Sequence, residues 1–158
     1  MKVDLNAKAF IGGGAGHTLP EFLTNAGDAS ELTMSAALWT PQAKYEGAKK
    51  FFDDYKAKFA KEPDYHGVEA YAAVYVLADT LKRAKSWSSD DLRSALAATD
   101  LMTAFGPVKF GAWGAFTNQN KMDTLVLQVI KGKFETVWPK TLASAPFVYP
   151  APRWRERK

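Results

Sequence analysis

The feature that constrains the fold most is a short apolar run that breaks into glycines and restarts as a helix, within KAFIGGGAGHTLPEF (residues 8–22). Residues 9–11, bounded by glycine, predict a short buried strand. Thr18 followed three residues later by Glu21 predicts a capping box, and Pro20 fits the first helical turn. The order strand, glycine loop, helix favours an α/β fold, in which ligands bind at the carboxyl ends of strands.

The glycine loop, residues 13–16, has two interpretations. It lets a ligand approach backbone N–H groups and the positive end of a helix, or it is a tight strand-to-helix turn with no ligand. A nucleotide site is disfavoured, because His17 stands where a G-x-G-x-x-G motif that starts at Gly12 requires its last glycine. No Gly-Lys-Ser/Thr follows either.

Composition is that of a globular domain with a sizeable core, since 47% of the 158 residues are hydrophobic and 24% are charged. The longest apolar stretch, residues 68–81, contains Glu69 and Asp79 and is shorter than the ~20 residues that a bilayer requires. No signal-peptide pattern follows Met1, which predicts either a cytoplasmic protein or a chain whose start is missing. The absence of cysteine excludes disulfides and thiolate catalysis.

The net charge of +4 is concentrated at one end. Three arginines and a lysine among residues 153–158 supply most of it, so the remainder of the chain is nearly neutral. A short basic tail of this kind is typical of a solvated end. We therefore predict no nucleic-acid partner.

The middle of the chain alternates between strand and helix patterns. Residues 31–39 predict a second strand, and Thr40 with Pro41 predicts the start of a long helix whose aromatic stripe faces the core. Residues 65–84 predict a helix buried on most faces. The elements expected after it are a helix from Ser88 or Ser89 to Ala98, a strand over 104–110, a loop over 111–121, a hairpin of 125–131 and 133–138, and a proline-rich extended strap.

The residues that carry chemistry in other proteins form no recognisable site here. His17 and His66 are far apart in sequence and have no partner at metal-ligand spacing, and no G-x-S-x-G motif is present. No pair of acids has catalytic spacing. We predict no catalytic residue, no metal and no cofactor. Tyr65 and His66 stand in a polar cluster at a helix start, where packing on a loop is the structural alternative to ligand binding.

Six features in order carry a resemblance to a known family: IGGGAGHTLPEF, a strand that ends at Trp39-Thr40-Pro41, PDYHGVEAYAAVYVLADTLKRA, FGPVKF, NQNKMDTLVLQVIKGKFETVWP and VYPAPRW. They resemble the C-terminal part of the type I periplasmic binding proteins, the Leu/Ile/Val-binding-protein-like receptors of ABC importers. The resemblance runs over nearly the whole chain. It implies an incomplete piece of a two-lobe α/β fold whose lobes are parallel-sheet sandwiches.

The resemblance also implies a domain organisation. Residues 1–38 correspond to the end of the C-terminal lobe, residues 39–124 to part of the N-terminal lobe, and residues 125–158 to the closing strands and a tail that crosses the hinge. Trp39 and Thr40 then lie at a hinge. A periplasmic location is implied, with an ABC permease as partner of the full-length protein. Such a fragment leaves surfaces uncovered, so we expect it to be oligomeric, swapped or paired with the missing N-terminal part.

The same resemblance implies a ligand site in the cleft between lobes. Gly13, Gly14, Ala15 and Gly16 form one wall, and Gly14 stands where amino-acid-binding members place an acid that pairs with the ligand's ammonium. A buried ammonium without a partner is costly, so this departure favours a carboxylate, such as an aromatic one, over a branched-chain amino acid. The remaining implied ligand contacts are His17, Tyr65 and His66.

Three functions follow from these observations. The leading one is non-catalytic capture of a small solute for an ABC importer. A ligand-sensing regulator or receptor domain uses the same fold. An α/β enzyme that binds phosphate on the glycine loop is a third, and it predicts stabilisation by nucleotides.

Overall fold

The computed structural model of the chain describes residues 6–156, and within it the chain divides into two compact units. Unit 1 comprises Met1–Gln42 and Thr124–Lys158, and unit 2 comprises Ala43–Asp123. Residues 1–5 and the last two residues of the predicted basic tail lie outside the described residues. The elements are β1 (Phe10–Gly12), α1 (Pro20–Ala26), β2 (Thr33–Ala37), α2 (Ala48–Phe59), α3 (Tyr65–Arg83), α4 (Ser89–Ala97), β3 (Asp100–Thr103), β4 (Gly106–Trp113), β5 (Phe116–Asn120), β6 (Leu125–Ile130) and β7 (Lys133–Trp138).

Unit 1 is built on a four-stranded sheet in the order β1-β2-β6-β7. β1 runs parallel to β2, whereas β6 pairs antiparallel with both β2 and β7. Ala37, Leu125 and Leu127 are buried together, and Phe134 and Leu142 pack against them. β2 and the β6–β7 hairpin lie where their apolar residues predict them, so these predictions are confirmed. β1 also forms close to its predicted position, but the prediction that it is buried is wrong, because Ile11 is 75% exposed.

The tail closes unit 1 as an extended strap, as its prolines predict. Gln128, which is almost fully buried, accepts a hydrogen bond from the Val148 backbone N–H (3.0 Å) and donates one to the Val148 carbonyl (3.1 Å). Further along, the Ala151 N–H donates to the Lys8 carbonyl at 2.8 Å. Buried polar groups are costly unless paired, so this reciprocal pair holds the strap in register with the sheet.

Unit 2 combines helices α2, α3 and α4 with a three-stranded sheet in the order β3-β4-β5. Along α3 one row of residues at a spacing of four is buried: Val68, Ala72, Val76 and Thr80. The opposite side of α3 is exposed, so the prediction of a helix buried on most faces is wrong. Apolar residues indicate which faces of a helix can be buried, but which face is buried depends on the elements that pack against the helix.

Helix starts were predicted well where a short polar side chain caps α3 or α4. Asp64 caps α3 by accepting from the Gly67 N–H at 3.0 Å, and Ser88 caps α4 by accepting from the Asp91 N–H at 3.2 Å. Each side chain satisfies a backbone N–H that the first helical turn leaves without a partner.

Two predicted threonine caps are wrong. Thr18 ends a 3₁₀ helix (Ala15–Thr18) and donates to the Ala15 carbonyl at 2.9 Å, so α1 begins after Leu19 without a capping box. Thr40 is buried, with its Oγ1 3.4 Å from that of Thr136. Residues 40–47 are irregular, and α2 begins only after Gly47, whose φ of 83° ends the preceding turn.

The predicted loop over residues 111–121 is also wrong, because most of it is paired as the β4–β5 hairpin. Its residues are exposed on both faces, so no apolar alternation marks the strands. Asn120 anchors the hairpin by accepting from the Lys109 N–H (2.9 Å) and donating to the Pro107 carbonyl (3.2 Å). Between residues 6 and 156 no helix combines the length and hydropathy needed to cross a membrane.

Candidate functional site

The glycine loop leaves the sheet of unit 1 at the carboxyl ends of its two parallel strands. Gly12 is the last residue of β1 and pairs with Ser35 of β2, whose Oγ donates to the Gly12 carbonyl at 2.9 Å. The loop follows at once and enters the 3₁₀ helix. Ligands of open α/β folds bind at this edge of a parallel pair, since the strand ends present backbone groups and helix N-termini there.

Gly12 is required by the packing of unit 1 itself. A Cβ at this position would lie 2.2 Å from Cγ of His17, whose ring covers the backbone of Gly12. The His17 ring stands edge-on to Phe22 at a centroid distance of 5.2 Å. Its Nδ1 lies 3.3 Å from the Gly14 carbonyl, an oxygen that only accepts, so a hydrogen bond here is donated by Nδ1–H. The sequence carries only one signal for this role of Gly12, a glycine that directly ends a strand.

The glycines at positions 13, 14 and 16 differ from Gly12 in that no packing contact requires them. A Cβ at Gly13, Gly14 or Gly16 would meet no atom within 4 Å, and all three residues are exposed. Gly14 has φ −132° and ψ 158°, an extended conformation that any residue adopts. Neither local packing nor backbone conformation in the chain therefore requires these glycines. Their backbone is open to whatever approaches this edge of the sheet.

The rest of the loop consists of small or neutral residues. Ala15 is exposed and begins the 3₁₀ helix, and the His17 N–H donates to the Gly14 carbonyl at 3.0 Å. Residues 12–18 contain no carboxylate. The loop thus offers backbone dipoles and one imidazole, but no negative side chain.

Tyr65 and His66 lie in the first turn of α3, in unit 2. Their rings are stacked, with centroids 4.0 Å apart and an angle of 29° between planes. Asp64 uses Oδ1 to cap the helix, and its Oδ2 lies 3.7 Å from Nδ1 of His66. The result is a flat aromatic surface at a helix N-terminus, with the nearest carboxylate already engaged by its own helix.

The structure brings some predicted site residues together and assigns others to different units. Gly13, Gly14, Ala15, Gly16 and His17 are contiguous in unit 1, whereas Tyr65 and His66 belong to unit 2. A cleft formed by both groups stays a prediction.

The predicted hinge residues, Trp39 and Thr40, are buried in unit 1. The chain passes to unit 2 after Gln42, and back after Asp123. The hinge role, the lobe boundaries and the individual ligand contacts stay predictions. Within residues 6–156, no group of three or more histidine or acidic side chains is arranged to hold a metal ion.

Comparison with known proteins assigns the family. A family model described as "Periplasmic binding protein" matches residues 1–133, most of the chain. The chain belongs to the periplasmic binding protein family. Its fold is that of the type I members, of which it contains only a part. It spans between 34% and 39% of the length of the solved structures described next.

Three solved structures illustrate the similarity. A leucine-binding protein from Thermotoga maritima is 25% identical, with a TM-score of 0.62 over 80% of this chain and 35% of that one. A protein described as a putative branched-chain amino acid ABC transporter from Silicibacter pomeroyi is 20% identical, with a TM-score of 0.69 over 88% and 39%. A solute-binding protein from R. palustris, in complex with benzoate, is 19% identical, with a TM-score of 0.60 over 80% and 34%.

Proposed function

We propose that this chain is part of a non-catalytic solute-binding protein that captures a small carboxylate outside the cytoplasm and delivers it to an ABC importer. The observation that carries the proposal is the open backbone of residues 13–16 at the carboxyl end of β1. Membership of the periplasmic binding protein family supports it, because the similar structures are those of binding proteins and transporters.

The glycines themselves argue for an approaching ligand. Glycine loses more conformational entropy on folding than any other residue, so each one has a cost. Gly12 is explained by His17, but Gly13, Gly14 and Gly16 have no such explanation within the chain. A ligand seated directly on the loop backbone supplies the reason, since a Cβ would occupy the space of the ligand.

The chemistry around the loop favours a carboxylate without an ammonium group. An amino-acid ligand needs an anionic partner for its ammonium, and residues 12–18 provide none. Asp64 is engaged by its own helix start and by His66. The stacked Tyr65 and His66 rings provide a flat surface that suits an aromatic ligand. Members of this fold have been solved with benzoate and as leucine-binding proteins, so the fold accommodates both classes of ligand.

The experiment is a ligand identification on the polypeptide that carries this chain, purified as its host expresses it. Denaturation followed by mass spectrometry of the released solute is expected to yield a carboxylate that lacks an amino group. In a thermal-shift series benzoate and related carboxylates raise the melting temperature, whereas leucine does not. Release of leucine, or stabilisation by leucine at micromolar concentration, would contradict the proposed ligand class.

A single substitution tests the role of position 14. Gly14→Asp restores an anion at the loop, and we expect it to weaken benzoate binding at least tenfold by charge repulsion while improving that of leucine. Gly14→Asn is the matched control, since it has nearly the same size and no charge. If both variants weaken benzoate binding equally, the effect is steric and the electrostatic argument for the ligand class is wrong.

A further inference from the structure

His17 contacts the glycine loop through both its backbone and its side chain. Its backbone N–H donates to the Gly14 carbonyl at 3.0 Å, and its Nδ1 lies 3.3 Å from the same oxygen. A carbonyl oxygen only accepts and has two lone pairs, so two donors from one residue use its whole capacity. The Gly14 carbonyl is therefore not available to a hydrogen-bond donor on a ligand.

The imidazole of His17 is ordered by packing within unit 1. A Cβ at Gly12 would lie 2.2 Å from Cγ of the ring, so the ring rests directly on the Gly12 backbone. Phe22 of α1 contacts the ring as well, at a centroid distance of 5.2 Å. Because packing already confines the ring, donation from Nδ1–H costs little additional side-chain entropy.

The N–H groups of the loop are in the opposite state to the Gly14 carbonyl. Within residues 6–156, the backbone N–H groups of Gly14, Ala15 and Gly16 have no hydrogen-bond acceptor. The carbonyl of Ala15, in contrast, accepts from the Thr18 hydroxyl at 2.9 Å. A ligand that accepts hydrogen bonds gains partners at such a loop, whereas a ligand that must donate loses its bonds to water without gaining an acceptor at Gly14.

We propose that His17 is a positioning residue that sets the ligand preference of the loop, because it occupies the Gly14 carbonyl and leaves backbone donors for an anion. The inference rests on the proposed function, since it assigns a role within the same solute site. It goes further in one respect. Neutral ligands that donate, such as primary amides, are rejected at the loop together with ammonium groups.

Two substitutions separate the donor of His17 from its ring. His17→Phe keeps a flat ring over Gly12 but has no donor at the position of Nδ1. His17→Asn loses the ring but keeps a side-chain amide that donates from that position. The probes are benzoate and benzamide, which share the ring and nearly the same shape but differ in charge and in the ability to donate. Calorimetric titration of the polypeptide that carries this chain gives the ratio of their dissociation constants.

The parent protein is expected to bind benzoate about tenfold or more tightly than benzamide. In His17→Phe we expect this preference to fall about tenfold, because the released lone pair of the Gly14 carbonyl accepts from the amide. His17→Asn is expected to restore most of the preference. A purely structural role of the ring predicts the reverse order, since Phe replaces the ring better than Asn does and lost packing weakens both probes alike.

The matched control is Thr24→Val. It removes a hydroxyl that donates to the Pro20 carbonyl at 3.4 Å, on α1 and outside the loop. We expect it to leave the preference for benzoate unchanged. The inference is overturned if His17→Phe keeps the preference of the parent protein, if His17→Asn does not restore it, or if Thr24→Val lowers it equally.

An NMR measurement without ligand separates this inference from the proposed function. Loss of a hydrogen bond moves a carbonyl ¹³C resonance upfield, so that of Gly14 is expected to move upfield in His17→Phe and much less in His17→Asn. A Gly14 resonance that is unchanged in His17→Phe overturns the inference, whatever the protein binds. If the resonance moves as expected but the parent protein does not prefer benzoate, the proposed ligand class is contradicted, and the selectivity assigned to His17 is overturned with it.

Discussion

Unit 1 and unit 2 differ in how they complete their cores. In unit 1 the end of the chain returns over the sheet, and the buried amide of Gln128 is matched at both its oxygen and its nitrogen by the Val148 backbone. In unit 2 nothing returns over α3, and one side of this helix stays exposed. Thr80 lies on the buried side of α3, and its hydroxyl has no hydrogen-bond partner among the described residues.

This difference shows that one chain holds a closed core and an open one at the same time. Burial and hydrogen bonding are satisfied where distant segments of the same chain meet, as the strap and the sheet do. Where no segment of unit 2 arrives, as on the exposed side of α3, apolar surface stays in contact with water.

The largest effect is expected in the closed core. Gln128→Ala removes both partners of the Val148 backbone and leaves a small cavity, so we expect the free energy of unfolding of unit 1 to fall by about 3 kcal/mol. Urea unfolding followed by tryptophan fluorescence measures it, in a parent chain whose two unit 2 tryptophans, Trp87 and Trp113, are replaced by phenylalanine so that the signal comes from unit 1. Gln119→Ala, on exposed β5, is the control and is expected to change little. A loss below about 1 kcal/mol for Gln128→Ala would mean that the strap does not close this core.

The next effect separates the two kinds of glycine in unit 1. Gly12→Ala drives a Cβ into the His17 ring, and we expect it to cost about 2 kcal/mol of stability. Gly13→Ala, its neighbour in sequence, meets nothing and is expected to be within about 0.5 kcal/mol of the parent chain. Thermal unfolding of both variants compares them. Equal losses would show that the loop glycines have a structural role in the chain, which weakens the case for a ligand on the loop.

In unit 2 a stabilising substitution is expected on the buried side of α3. Thr80→Val replaces the unpartnered buried hydroxyl by a methyl of similar size, and we expect unit 2 to gain about 1 kcal/mol. Thr80→Ser keeps the hydroxyl and removes a methyl, so it is expected to destabilise. The denaturant midpoints of the two variants, compared with that of the parent chain, measure both changes in stability. A loss of stability in Thr80→Val would indicate that the hydroxyl is paired, for instance by a bound water.

The smallest effect is electrostatic. The hydrogen bond to Tyr75, followed by partial burial, raises the pKa of the Tyr71 phenol above its ordinary value. The folded state therefore holds this proton more tightly. Its contribution to stability is complete below the unfolded-state pKa of ~10 and is lost as the pH rises through the folded-state value. Tyr75→Phe is expected to lower the Tyr71 pKa, which an NMR titration of ring-labelled tyrosine resolves from the other tyrosines. Tyr45→Phe, elsewhere in unit 2, is the control and leaves the Tyr71 pKa unchanged.

Sequence patterns predicted the structure correctly where the stabilising interactions join residues that are close together in the sequence. The Ser88 cap and the β6–β7 hairpin were predicted because a capping side chain and a glycine turn act within a few residues. Thr40 has the same local signature as a cap, but its hydroxyl instead faces Thr136, which is 96 positions away in sequence. The β4–β5 hairpin was missed for a related reason, since backbone pairing formed it without any apolar alternation.

For the candidate site, too, some features were predictable from the sequence and others only from the tertiary structure. Residues 13–17 were singled out because a strand, glycines and a helix start in that order have few uses, and this order is a property of the sequence alone. Only the folded chain separates Gly12, which His17 requires, from Gly13, Gly14 and Gly16, which are open. In the same way, sequence determined that α3 is apolar on several faces, whereas tertiary structure decided which face is buried. The reason is physical: propensity and capping depend on near neighbours, but burial depends on which distant surface arrives.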